Sequence, residues 1–412
     1  MESHDENPGG RRRTASPVIA HADMDAYFVE VELLERPQLR GRRLIVAHDS
    51  PRSVVLSASY PARADGVRSG MPLVRARQLS PGAMILEPHP PRYRELSERI
   101  MAHFGTLTDR VEQLSVDEAF LDLTGAVRRL GPPDRIGEQI RREIRDEFGL
   151  PCTVGIADRK FVAKIASTRA KPDGLMLVPP ARRLPFLHAL PVEALWGVGG
   201  TTADALHGRG IRTVAQLAET PRDVLRARFG RVGEHLHDLA WGIDDREVEP
   251  EREEKSIGAE ETFAVDLTST EALRAELLRL SHRIAARLRA ADLSAAGVSL
   301  KLRYRDFQTL TRSSGLSHPT RSAPVLHRAA TRLLDRLGDR PQPVRLIGLR
   351  AERLSRGDGG VQLSFDGSES RWTDAEAAVD TVARRFPEVR LGPASLIRRD
   401  DDDSEAQGES SR

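Results

Sequence analysis

The sequence predicts a multidomain α+β protein, and three observations carry that prediction. Residues 17–178 interleave short apolar runs with helical periods, the pattern of a mixed sheet-and-helix unit. Residues 179–245 are helical in pattern and punctuated by glycine pairs. From residue 257 onward strand and helix patterns follow in the order βαββαβ, a ferredoxin-like layer. A chain of 412 residues holds two to four domains at ~100–200 residues each, and every one of them can bury a core.

Residues 1–16 are polar and rich in Gly, Pro and Arg, which predicts a disordered tail. VIAHADMDA (18–26) is an apolar run ending in acids and reads as a buried strand. YFVEVELLER (27–36) continues it as a helix closed by Pro37. Residues 35–93 read as an insertion with short strands (RLIVAH, SVVLSASY) among turn formers. RELSERIMAHFG (94–105) is a helix with Leu96, Ile100, Met101 and Phe104 on one face. RVEQLSV and AFLDLTG (110–116 and 119–125) are strands parted by Asp117 and Glu118 at a hairpin tip. Residues 134–149 repeat Ile136, Ile140, Ile144 and Phe148 every fourth position, an amphipathic helix, and CTVGIA (152–157) is a strand. The charged stretch 242–256 contains Pro and reads as a linker. Beyond it come a strand (IGAEETFAV), a helix (270–291), two strands (297–304 and 307–315), a helix (324–338) and a last strand (343–354). Residues 355–412 are Gly-, Ser- and Asp-rich around a short helix at 373–386.

Composition excludes several classes. One cysteine, Cys152, leaves no disulfide framework and no cysteine zinc site. No run of ~18 apolar residues exists, so no membrane span is expected. The opening residues lack an apolar stretch after their arginine triplet, so no secretory signal is expected and a cytoplasmic location follows. Net charge is only +2, yet residues 255–353 carry 18 Lys+Arg against 10 Asp+Glu. In that segment Lys301, Arg303 and Arg305 alternate along one strand, with Arg312 on the next. This reads either as a solvated sheet face or as a phosphate-tracking surface. Only five of the 63 basic residues are lysine, and three of those are Lys160, Lys164 and Lys171. A compact point charge rather than a planar fork suits such positions.

Asp23 and Asp25 alternate on the first strand, and Asp117 and Glu118 sit at the hairpin tip. A carboxylate ending an apolar strand is costly unless a cation or donor satisfies it. Four such acids could converge on divalent cations, for which hard oxygen ligands suit Mg²⁺. Acids at strand ends are also ordinary turn residues, and spacing alone leaves both readings open.

HADMDAYFVEVE, SASYPAR, LSVDEAFLDLTG and TVGIADRKFVAKIASTRAKPDGL stand in this order along the chain. Together they resemble the motif set of Y-family DNA polymerases, most closely the bacterial DNA polymerase IV group, over roughly residues 18–354. The resemblance implies a right-hand polymerase with these parts: a ferredoxin-like palm (17–34 and 94–178), small fingers (35–93) and a helical thumb with a helix-hairpin-helix (179–243). A linker (244–255) and a βαββαβ little finger (256–355) follow, and then a C-terminal tail (356–412). It implies template-directed, low-fidelity DNA synthesis in translesion repair, from dNTP to a primer 3′-hydroxyl, without proofreading. A non-catalytic DNA- or clamp-binding scaffold on the same fold is the alternative.

Site residues follow from the same resemblance. Asp23, Asp117 and Glu118 would be the catalytic carboxylates holding two Mg²⁺, with the Met24 carbonyl as a further ligand and Asp25 as a structural support. Tyr60, Arg63 and Lys171, with the backbone amides of Ala26, Tyr27 and Phe28, would hold the incoming dNTP. Phe28 would exclude the ribose 2′-hydroxyl. The family has Glu where this chain has Pro61, which leaves the local turn geometry open. LWGVGGTTADAL (195–206) resembles a helix-hairpin-helix whose Gly197, Gly199 and Gly200 would approach DNA phosphate, and RFGRVGEHL (228–236) resembles a second. Lys301, Arg303, Arg305 and Arg312 would grip the duplex of primer-template DNA, while Lys160 and Lys164 would face DNA phosphates or the domain surface, or lie solvated on their helix. QLSFD (362–366), through Gln362, Leu363 and Phe365, resembles an atypical sliding-clamp peptide. The chain would act as a monomer.

Overall fold

Strand β1 (Ile19–Met24) runs through the middle of a five-stranded sheet and organises the first half of the molecule. In the computed structural model, residues 16–251, 253–338, 342–357 and 368–386 are described, with Pro393 and Leu396. The chain divides between residues 251 and 253 into two compact units. Gln362, Leu363 and Phe365, the residues before 16, and most of the C-terminal tail lie outside the described residues. Among the described residues no helix is long and apolar enough to cross a membrane.

After β1 comes helix α1 (Tyr27–Glu35), then β2 (Leu44–Val46), β3 (Ser57–Ala58), α2 (Tyr60–Ala64), α3 (Leu73–Leu79), β4 (Met84–Leu86) and α4 (Pro90–Leu107). Strands β5 (Val111–Gln113) and β6 (Glu118–Asp122) form the hairpin, so Glu118 opens a strand and Asp117 alone stays in the turn. Then follow α5 (Val127–Leu130), α6 (Pro133–Phe148), β7 (Cys152–Ala157), α7 (Lys160–Ala170) and β8 (Leu175–Val178). The main sheet has the order β5-β6-β1-β7-β8, and β3-β2-β4 make a separate small sheet.

Alternation along β1 sets the two faces of the main sheet. Ala20, Ala22 and Met24 join Leu121, Ile100 and the Ile136, Ile140, Ile144 row of α4 and α6 in one core. Ile19 and Phe120 join Phe161, Val162 and Ile165 of α7 in another. Antiparallel pairing of β1 with β6 sets His21 opposite Phe120 and Asp23 opposite Glu118, on the α7 face. On the other side β7 pairs His21 with Gly155. That glycine is where α7 lies closest: a Cβ at residue 155 would stand 2.1 Å from the Ala163 carbonyl oxygen and 2.2 Å from the Ser167 amide nitrogen. No larger residue lets the helix settle on the strand.

Helices α8 (Arg183–His188), α9 (Gly200–His207), α10 (Val214–Glu219), α11 (Arg222–Phe229) and α12 (Arg231–Ala240) continue the α7-side core through Leu206, Leu217, Leu225 and Leu236. The charged stretch after them is not a free tether over its first part. Val248 is buried in that same core, Arg110 donates to Glu247 and to the Val248 carbonyl, and Glu112 accepts the Glu249 amide. Acidic linker residues thus land on basic partners of the sheet unit, a long-range pairing that composition does not encode.

The second unit is β9 (Ser256–Leu267), α13 (Thr270–Ala290), β10 (Leu293–Tyr304), β11 (Thr309–Thr320), α14 (Ala323–Asp335) and β12 (Val344–Arg356), the βαββαβ order expected. Its sheet order is β11-β10-β12-β9. Val298, Leu300, Leu302 and Tyr304 of β10 face α13 and α14 and fill the core. The helix α15 (Ser368–Arg385) packs on α13, where Arg289 pairs with Asp380 (2.6 Å) and Glu376 accepts the Ala323 amide (3.0 Å).

Gly155→Ala is expected to lower the unfolding free energy by about 3 kcal/mol, since the added methyl meets backbone rather than a yielding side chain. Denaturant titration of the two proteins checks this, and a loss below a few tenths of a kcal/mol would contradict the close packing of α7.

Candidate active site

The site forms where β1 ends. Asp23 and Glu118 are register neighbours on adjacent strands, and the following turn carries Asp117, whose carbonyl accepts the Met24 amide at 2.9 Å. One ligand atom from each of His21, Asp23 and Glu118 lies within 4.8 Å of the others. Asp117 is not in that group; its carboxylate accepts from the Ser115 hydroxyl. Sequence reading missed His21. The signal was its i, i+2 spacing from Asp23, which puts both on one strand face.

Lysines answer these acids. Lys171 Nζ, just past the end of α7, donates to Asp23 Oδ1 at 2.6 Å. Lys164 donates to Glu118 Oε2 and lies 3.3 Å from His21 Nε2. His21 is fully buried, hydrogen-bonded to Ser167 Oγ at 2.7 Å, with Nε2 3.2 Å from Glu118 Oε2. Burial pushes its imidazole down to about 4, so it is neutral at physiological pH. Burial alone would raise Glu118, but hydrogen bonds with His21 and Lys164 outweigh it and hold the carboxyl at about 2. Asp23 goes the other way: burial, only partly countered by Lys171, raises it to about 6. The expectation that Lys160 and Lys164 face DNA or lie solvated is therefore corrected. Lys160 is buried, with its ammonium 2.5 Å from Glu112 Oε2 and 2.9 Å from the Glu247 carbonyl.

Asp25 is the hub beside this pair. Fully buried, it accepts from Tyr60 Oη (2.7 Å), Thr153 Oγ1 (2.8 Å) and the Asp173 amide (2.7 Å). One carboxylate so ties β1 to α2 and to the Lys171 loop. Ser59 N-caps α2 by accepting from the Ala62 amide, and Pro61 occupies the first turn, where no helical N–H bond is needed. Pro61 thus leaves Tyr60 and Arg63 on one short helix. Arg63 donates to the Ala58 carbonyl at 2.8 Å, and its guanidinium carbon lies 5.1 Å from the Tyr60 ring centroid. Ala26 adopts a left-handed conformation (φ 43°) at the N-cap of α1, which opens the first-turn amides after the acid-bearing strand. Phe28 stacks on Tyr93 with centroids 4.4 Å apart and an interplanar angle of 17°. The Tyr93 hydroxyl donates to the buried Glu32 carboxylate at 2.6 Å, and Arg36 and His89 also engage Glu32.

Gly197 has φ +96°, and a Cβ at Gly197, Gly199 or Gly200 would meet nothing within 4 Å. The turn before α9 therefore presents bare backbone outward. A single glycine, Gly230 (φ +60°), joins α11 to α12 in the second hairpin. On the second unit Lys301 and Arg303 share the sheet face away from the helices. Lys301 is 2.7 Å from Glu260, and Arg303 donates to Thr309 at 3.0 Å. Arg305 follows β10 in the turn, 3.4 Å from Asp266. Arg312 does not join the face of Lys301, because the register pairs it with Leu300, which points into the core.

Comparisons with known proteins bear on all of this. The impB/mucB/samB family matches residues 22–168 and its C-terminal domain residues 254–365, while the thumb domain of DNA polymerase-iota matches 193–244. DNA polymerase IV of Desulfatibacillum aliphaticivorans is 39% identical over 383 residues, covering 92% of this chain and 97% of that protein. DNA polymerase IV of Streptomyces coelicolor is 43% identical, covering 83% of this chain and 72% of that protein. Among solved structures, a Y-family DNA polymerase chimera aligns with TM-score 0.76 at 26% identity, over 82% of this chain and all (100%) of that one. The insertion ternary complex of Dbh DNA polymerase aligns with TM-score 0.61 at 25% identity, with the same coverage of 82% and 100%.

Asp23→Asn keeps the side-chain shape but cannot ionise. The native state holds the Asp23 proton up to about pH 6, against an ordinary value of 3.8. The wild type therefore loses stability as pH rises from about 4 to 6 and stays at the lower level above that. With chelator present, the variant is expected to be the more stable protein at pH 8, by on the order of 2 kcal/mol, with the gap closing toward pH 4. Melting curves at the two pH values check this, and a pH-independent gap would sink the electrostatic account of Asp23.

Proposed function

The chain belongs to the impB/mucB/samB family of Y-family DNA polymerases, and on that footing we propose that Asp23, Asp117 and Glu118 are the catalytic carboxylates of its DNA synthesis. It is a DNA-directed DNA polymerase of the low-fidelity, translesion class, and the family depends on a divalent metal. The observation that carries the site assignment is the register pairing of Asp23 with Glu118 beside Asp117, with an ammonium group on each paired acid. Hard carboxylate oxygens on two adjacent strands fit Mg²⁺, which completes its shell with substrate phosphate. Asp23, Asp117, Glu118 and the Met24 carbonyl would hold two such ions. When bound, the ions lower the pKa of the primer 3′-hydroxyl and neutralise charge developing on the triphosphate.

The remaining roles belong to the chain itself. Lys171 sits on Asp23 and has a long, freely turning stem, so it can hand its charge to a triphosphate oxygen. Arg63 offers a fork to the same phosphates, and Tyr60 is steadied for them by Asp25. The first-turn amides at Ala26, Tyr27 and Phe28 form an anion site at the start of α1. Phe28, pressed flat on Tyr93, presents a rigid ring against which a 2′-hydroxyl finds neither room nor a hydrogen bond.

The domain assignment proposed with this reading is palm 17–34 and 94–178, fingers 35–93, thumb 179–243, linker 244–255, little finger 256–355 and tail 356–412. Gly197, Gly199 and Gly200 would let backbone amides reach a DNA phosphate, and Lys301, Arg303 and Arg305 would follow the duplex backbone. Arg312, at the sheet edge on the other face, would reach phosphate only from the side. Binding of primer-template DNA by such contacts is sequence-independent and salt-sensitive. Gln362, Leu363 and Phe365 remain the proposed clamp contact of a monomeric enzyme acting at the nucleoid. A non-catalytic scaffold has no use for paired carboxylates with pKa values held apart.

Asp23→Ala or Glu118→Ala is expected to cut the rate of single-nucleotide primer extension at least ~10³-fold, equivalent to about 4 kcal/mol of lost transition-state stabilisation. Near-normal turnover in either variant would refute the assignment. Phe28→Ala is expected to admit ribonucleotides while keeping deoxyribonucleotide turnover. Competition assays with matched dNTP and NTP check this, and unchanged sugar discrimination would reject the role.

A further inference from the structure

Trp196 occupies a position that the proposed chemistry does not use. It directly precedes Gly197 in the open glycine turn. Its indole packs on the sheet unit, with its centroid 6.0 Å from that of Phe120, which is two residues from Glu118 on β6. Lys164 Nζ lies 5.9 Å from the Trp196 ring centroid, and the same ammonium donates to Glu118. A second cation, Arg246, lies 4.6 Å from that ring and is held by Asp244 through two hydrogen bonds, of 2.6 and 3.0 Å. The indole is thus the shared wall of three things: the bare-backbone turn, the lysine that sets the Glu118 oxygen, and the docked segment after α12.

We propose that Trp196 is a positioning residue that couples the glycine turn of the thumb to Glu118 through Lys164, so that the carboxylate is set for chemistry when duplex DNA seats on the turn. A cation held at an aromatic face loses freedom to swing, and the Lys164 ammonium is what fixes one oxygen of Glu118. A phosphate seated at Gly197–Gly200 fixes the backbone on both sides of the turn and with it the plane of the adjoining indole. Lys164 gains a defined resting place, and Glu118 a defined direction. The coupling passes through two contacts only, indole to ammonium and ammonium to carboxylate, with His21 bracing the second at 3.2 Å. Its signature is therefore a change in the rate of chemistry rather than in nucleotide affinity.

The inference rests on the reading of Glu118 as a metal-holding carboxylate, and the test separates the two. Single-turnover primer extension by the full chain, with saturating Mg²⁺ and duplex, gives a maximal rate and a dNTP Kd for each variant. Trp196→Leu is expected to lower the maximal rate about ten-fold, the size of one aromatic–cation contact, with dNTP Kd within about two-fold. Trp196→Phe should restore most of the rate. Lys164→Gln should slow the enzyme, and adding Trp196→Leu to it should cost no more than about two-fold further, since the two act in series. An unchanged rate in Trp196→Leu, or losses that multiply in the double variant, would overturn the coupling. Should Trp196→Leu fail to fold, Trp196→Met, alone and combined with Lys164→Gln, carries the same comparison. Glu118→Gln is the separate control: turnover in that variant removes the reading beneath the proposal. An inactive Glu118→Gln beside a fully active Trp196→Leu removes the coupling alone.

Discussion

Carboxylates brought together at the end of a buried strand are the constraint on which the rest of the molecule depends. Antiparallel register sets Asp23 opposite Glu118, and Asp117 immediately precedes Glu118. Like charges at that range oppose folding unless cations or donors stand beside them. The scarce lysines serve this need. Lys171 meets Asp23 and Lys164 meets Glu118, and both come from one helix and its C-terminal cap. That helix must lie almost on the sheet to reach, which is why β7 carries glycine at position 155. A chain of necessity therefore runs from a missing Cβ, through helix approach, to the charge balance of the site.

The two acids are not balanced alike, and the difference has chemical meaning. Glu118 has two partners, His21 and Lys164, and stays ionised far into acid, so its charge is balanced before any substrate arrives. Asp23 has one flexible ammonium and a raised pKa, so its charge is incompletely satisfied. An under-neutralised carboxylate beside a movable lysine is a poor way to stabilise a fold and a good way to receive a cation. The same lysine, displaced from Asp23, is left with a charge to offer to phosphate.

How much of this was legible in the sequence depended on whether a feature was local. The isoleucine row of α6 and the strand β7 are written in periods of four and in an unbroken apolar run, and both stand where the pattern puts them. So does the βαββαβ order of the second unit. Asp23 and Glu118 were legible as costly acids at strand ends, and a motif resemblance joined them. His21 was missed: its spacing from Asp23 put both on one strand face, but the Glu118 and Ser167 that make it part of the site come from distant parts of the chain. The partners of Lys160 and Lys164 were hidden for the same reason: both depend on α7 crossing β1 and β6, a tertiary fact. The segment 244–249 looked like a tether because its charges were read without the Arg110 and Lys160 that receive it. That Arg312 stands on the opposite face from Lys301 follows from its pairing with Leu300, a register that its place in the sequence does not show.

Discrimination by this enzyme divides between a rigid part and a slight one. The ring proposed to read the sugar belongs to the main sheet unit. Phe28 rests on Tyr93, Tyr93 is tied to Glu32, and Glu32 is buried among Arg36 and His89. A clash against so braced a surface persists whatever the rest of the protein does. The region proposed as fingers, residues 35–93, rests on a small cluster around Ile45, Val55, Val67 and Leu73, and on strands of three, two and three residues. Selectivity gained by closing on the correct pair grows with the binding energy that closure can recruit, and this unit recruits little. With the roles proposed for Phe28 and for residues 35–93, such an enzyme would reject the wrong sugar more stringently than the wrong base.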